Sequence, residues 1–144
     1  LKGAGTVTVD DVMQAVADSS RFDAFALAEH MLSGNLREGL RVAAGLHRMD
    51  TPLPMVLGAL TRELRTTEAF RMAMRGGENE STVFRRLNVW RNRQHAIRAA
   101  ARRLNTRSLF GAFKTLSLID RQSKGRAAGD PWQSLDTLLM QLAR

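Results

Sequence analysis

Apolar residues recur three and four positions apart along almost the whole chain, the spacing of one face of an α-helix. Thr8 followed by Asp11 reads as a capping-box variant opening a helix over about Val9 to Asp18, with Val9, Val12, Met13 and Val16 on one face. Ser19-Ser20 breaks that pattern and is expected to start a second helix, whose apolar stripe is Phe22, Phe25, Ala26, Leu27 and Leu32. Gly34 suits the left-handed residue just past a helix end. Asn35 with Glu38 is another capping signature, ahead of Leu36, Leu40, Val42, Ala43 and Leu46. The turn Asp50-Thr51-Pro52-Leu53-Pro54 places proline at or near the first turn of a long helix, Leu53 to Met74.

Gly76-Gly77-Glu78-Asn79 ends that helix, and a short one is expected over Ser81 to Leu87. Val89 to Leu104 follows, with Trp90, Ala96, Ile97, Ala100 and Leu104 as its apolar positions. Asn105-Thr106 caps a further helix carrying Leu109, Phe110, Phe113, Leu116, Leu118 and Ile119. After a flexible turn from Lys124 to Gly129, Asp130-Pro131 opens the last helix with a capping acid and a proline at its first position. Leu135, Leu138, Leu139 and Leu142 form its inward face. Only Thr6-Val7-Thr8-Val9 is β-like, and it is too short for a sheet. The pattern predicts an all-α, bundle-like domain of about seven or eight helices. Residues 22–144 read as one helical domain, and residues 1–21 as the tail of a preceding one.

Composition narrows the class. A chain of 144 residues is long enough to bury a real core. No apolar run approaches the roughly 20 residues needed to cross a bilayer, and no signal peptide is visible. Leu1 is not an initiator Met, so the chain reads as part of something longer. The absence of cysteine excludes disulfides and thiolate metal sites and fits a cytosolic protein. The net charge of +8 is concentrated. From Arg85 to Arg126 twelve basic residues face one acid, Asp120, so that segment carries +11 and the remainder −3. Fields of that kind point to polyanions or an acidic partner surface.

Catalytic chemistry finds no support. His30, His47 and His95 lie on different helices without metal-ligand spacing and are expected at the surface or at interfaces. No serine sits in a nucleophile turn, and neither Gly76-Gly77 nor Lys124-Gly125 has the context of a phosphate loop. No cofactor or metal site is expected. Trp90, flanked by Arg91, Asn92 and Arg93, has two readings. It is either a base-stacking platform with phosphate-binding neighbours or a core residue in register with Leu87, Ala96 and Ile97.

Several stretches resemble the delta subunit of the bacterial DNA polymerase III clamp loader at its C-terminal, or collar, domain. Thr6 to Val12, Ala15-Val16 and Ser19 to Phe25 look like the junction between an AAA+-like domain and the collar. Gly34 to Leu46 and Val56 to Leu64, ending in Arg62-Glu63-Leu64, are similar to two family helices. Val89-Trp90-Arg91-Asn92-Arg93 is close to the family's Val-Trp-x-Asn-Arg pattern. Asp120, Lys124-Gly125 and Pro131-Trp132 fit the family ending. The resemblance implies a cytoplasmic scaffold whose collar packs in a ring with gamma/tau and other loader subunits of the polymerase III holoenzyme. The ATPase sites would lie in partner subunits, and the sliding clamp would be met only by an N-terminal domain. It also implies contact with primer–template DNA, Trp90 stacking and Arg91, Arg93 and Lys124 facing phosphates. Arg126-Ala127-Ala128-Gly129 lacks the aromatic that some relatives carry before the Trp132 position. The competing reading is a stand-alone helical nucleic-acid-binding module.

Overall fold

The computed structural model describes residues 6–143. It contains seven helices and no strand among the described residues: α1 (Val9–Ser33), α2 (Leu36–Arg48), α3 (Leu53–Arg75), α4 (Glu80–Arg86), α5 (Arg91–Arg103), α6 (Thr106–Ser123) and α7 (Pro131–Leu142). The expectation of an all-α bundle holds. The caps account for most of the boundaries. Thr8 and Asp11 form a reciprocal capping box, and Asn35, Asn79, Asn105 and Asp130 each accept a hydrogen bond from a backbone N–H of the first helical turn. Gly34 ends α1 in the left-handed conformation, φ 74°, which a side chain would strain.

One predicted break is absent, and α5 starts at Arg91 rather than Val89. Ser19-Ser20 does not break the chain, and α1 runs unbroken for 25 residues. Serine is only a mild helix disfavourer, and no glycine or proline reinforces the break. Ser20 turns inward and is buried. It lies in the same stripe as Val9, Met13, Val16, Ala24, Leu27 and Met31, spaced by three and four throughout. The core covers only the second half of that stripe. Ala24, Leu27 and Met31 are buried, whereas Val9, Val12, Met13 and Val16 are exposed. Phe22 and Phe25, which the pattern placed in the apolar stripe, point outward.

Helix α3 is the axis of the domain, packed against α1, α4, α5 and α6. Helices α1 and α2 pack as one pair, α6 and α7 as another, and α2 against α7 closes the bundle. The centre is a single cluster in which Leu27, Leu46, Leu60, Leu64, Ile97, Ile119, Leu135 and Leu138 are fully enclosed. Phe70 of α3 stacks on Phe84 of α4 with ring centroids 4.4 Å apart. Arg103, at the end of α5, donates to the carbonyls of Leu32 and Leu142. One guanidinium thus serves orphan carbonyls at the C-termini of α1 and α7.

Candidate nucleic-acid interface

Trp90 is the N-cap of α5, in extended conformation with no side-chain capping bond. Val89 beside it is buried, and Trp90 is 77% exposed. The core reading of this indole is therefore overturned. Val89 and the α5 residues Ala96, Ile97 and Ala100 enter the core, and Trp90 does not join them. Trp90 and Arg91 share a shallow hollow with Arg85, over a floor of Phe84 and Val89. Arg85 and Arg91 are exposed and make no ion pair among the described residues.

The other two sequence candidates lie elsewhere. Arg93 turns inward and ion-pairs with the buried carboxylate of Glu63 on α3. Lys124 caps the end of α6 and pairs with Asp120 at 3.1 Å. It shares a hollow with Leu53 and Pro54 at the start of α3. Glu63 is ten residues further along that helix, about 15 Å at 1.5 Å per residue. The structure therefore brings Arg91 to Trp90 but places Lys124 at a distance and ties Arg93 down.

Tertiary structure also sorts the +11 segment by availability. Arg86 pairs with Glu78, Arg98 with Glu80, and Arg103 serves the two helix ends. Hydrogen bonds from these arginines hold the Glu78 and Glu80 carboxyls below their usual range. Burial pushes the Arg103 guanidinium down. Arg91, His95, Arg98 and Arg102 follow one another at spacings of four, three and four, and so form a stripe on α5 opposite its buried face. Arg75, at the end of α3, joins the stripe beside Arg102. It lies outside the basic segment of the sequence, and only the packing of α3 along α5 reveals it. The second indole offers no free platform, because Trp132 is stacked on His47 at 4.7 Å with an interplanar angle of 10°.

No group of three metal-ligating side chains gathers among the described residues, and no helix is long and apolar enough to cross a membrane. Fold and surface together define a compact α-helical domain with a cationic face headed by an exposed tryptophan. No protein-family model matches the chain. By sequence the chain is related to the DNA polymerase III subunit delta of Haemophilus influenzae, 28% identical over 139 residues. That match covers 91% of this chain and 40% of the relative. Its fold is shared with the Bacillus subtilis DNA clamp loader delta protein, with a TM-score of 0.66 at 20% identity over 95% of this chain and 40% of that one. The resemblance to clamp-loader delta read from the sequence is thus met in both comparisons. The chain spans about 40% of the length of either protein.

Proposed function

We propose that this chain is the C-terminal collar domain of a clamp-loader delta subunit, a structural module through which the subunit joins its loader in the bacterial cytoplasm. The observation that carries this reading is the match to a delta subunit across 91% of the chain. The partners are gamma/tau and other loader subunits, engaged through helical packing. ATP hydrolysis and contact with the sliding clamp belong to other domains and subunits. Residues 22–144 are the collar and residues 1–21 the end of a preceding domain. The uncovered Val9, Val12, Met13 and Val16 support a neighbouring domain at the start of α1, since an apolar stripe of this length is normally buried by something. The test is co-purification of the full delta subunit with gamma/tau. Stable association that is lost when residues 22–144 are deleted is the expected result. Association unaffected by the deletion contradicts the assembly role.

The finer proposal is that the collar also meets primer–template DNA. Trp90 stacks on a base, Arg91 meets phosphate, and Arg85, Arg102 and Arg75 extend the track. Arg93 and Lys124 join it only where DNA outcompetes Glu63 and Asp120. A second reading, a stand-alone nucleic-acid-binding module, draws on the same cationic face. Tight, salt-sensitive DNA binding by this chain without any loader partner favours it.

A further inference from the structure

Between α3 and α6 the surface opens into a groove of about 1030 Å³. That is at the upper end of the range for small-molecule sites, and the groove is open and runs between two long helices rather than into the core. Its floor is apolar, with Leu57 and Leu116 at the bottom and the half-buried Phe113 on one wall. Met72 and Phe110, each one helical step beyond the lining residues Ala69 and Phe113, are 53% and 65% exposed and prolong the apolar surface. A furrow of this form fits the apolar face of a third helix.

Gly58 lies on the α3 wall of the furrow. Glycine inside a helix is destabilising relative to alanine. This one lies within a 23-residue helix, and a Cβ there would meet nothing within 4 Å. Gly39, by contrast, already packs against His30 and Leu139. Nothing in the chain's own fold requires position 58 to be bare, whereas close approach of another backbone would.

The rim is cationic. Arg62 and Arg65 are exposed and make no ion pair among the described residues, although the Arg62 guanidinium lies 5.8 Å from the Phe25 ring centroid. The two lining acids are already neutralised, Glu68 by Arg71 and Asp120 by Lys124. We propose that this groove receives an amphipathic helix of a neighbouring loader subunit. Its small or aliphatic residues would lie over Gly58, and its flanking carboxylates would meet Arg62 and Arg65. The inference rests on the assembly role proposed for the chain and names the surface through which assembly occurs.

The experiment uses the full delta subunit and its purified loader partners, with the affinity measured by calorimetry. Gly58→Ala should leave the melting temperature of the free subunit unchanged or raised, yet weaken association severalfold. Gly58→Leu should weaken association by at least tenfold, with the circular dichroism spectrum retained. Arg65→Glu should weaken it comparably, and a Glu→Lys change on the partner helix should restore it. Full affinity in both Gly58→Leu and Arg65→Glu overturns the groove while leaving the assembly role standing. Loss of self-association with loader affinity intact also overturns it, in favour of a second copy of this chain. Failure of the unsubstituted subunit to bind any loader subunit sinks both.

Discussion

Trp90 faces solvent because its backbone, rather than its ring, is what α5 uses as a start, while Val89 fills the space beneath. Trp90→Ala should therefore shift stability by no more than about 0.5 kcal/mol, as surface substitutions do. If the indole stacks on a base, the same change should weaken single-stranded DNA binding by about 1–3 kcal/mol. Thermal melting and fluorescence anisotropy measure the two effects separately. Arg93, three residues on, should behave in the opposite way. Its loss strands the buried Glu63 carboxylate, so Arg93→Ala should cost about 2 kcal/mol or more in denaturant unfolding. A neutral Arg93→Ala would contradict a structural role for the Arg93–Glu63 pair. Arg103 joins three helices through one guanidinium fork. Arg103→Lys should be destabilising, because a single ammonium on a flexible stem does not reproduce that fixed fork. Chemical denaturation of the lysine variant checks this.

At the scale of elements, α1 and α4 show how packing and charge set local stability. The first half of α1 is capped by Thr8 and Asp11 but has almost no tertiary cover. Its amides over residues 12–18 should exchange with solvent far faster than those over 27–33 in this chain, because locally uncovered helix opens without global unfolding. In the full subunit the same amides should become protected if a preceding domain covers the stripe. Hydrogen exchange on both proteins decides it. Helix α4 is only seven residues long and depends on the Phe84 stack and on two ion pairs, Glu78–Arg86 and Glu80–Arg98. Both carboxyls are held below their ordinary range by their arginines. A depressed carboxyl contributes stability above its unfolded value that is lost as pH falls. The difference in melting temperature between the protein and Glu80→Gln should thus be present at neutral pH and shrink below the ordinary Glu value of about 4.3. A difference that grows on acidification would contradict the pairing.

The whole molecule carries its charge asymmetrically, and the asymmetry can be read in salt. If Arg75, Arg85, Arg91 and Arg102 each meet one phosphate of a single strand, log affinity should fall with log salt at a slope of about −3. Arg102→Ala should reduce the steepness by about 0.7, whereas Arg86→Ala, whose charge Glu78 already engages, should change it less. A titration series from low to moderate salt measures both slopes.

Much of this architecture was legible in the order of residues. The helices announce themselves through apolar spacing and through caps at Thr8, Asn35, Asn105 and Asp130, because capping is a local hydrogen bond between near neighbours. The Val-Trp-Arg-Asn-Arg stretch and the +11 segment marked where the positive charge is concentrated. The sequence could not say that Ser19-Ser20 stays helical, since weak propensity yields to an uninterrupted stripe. Nor could it say which cations are available. Local pattern treats Arg91 and Arg93 alike, yet helical rotation and the neighbouring α3 send one to solvent and the other to Glu63. Arg75 joins Arg102 only because α3 and α5 lie side by side, a contact between residues far apart in the chain. Sequence by itself therefore determined the helical class, the caps and the sign and place of the charge, all short-range properties. The exposure of Trp90, the sorting of the arginines and the furrow beside Gly58 were decided only by tertiary packing, which chooses the face that each helix turns inward.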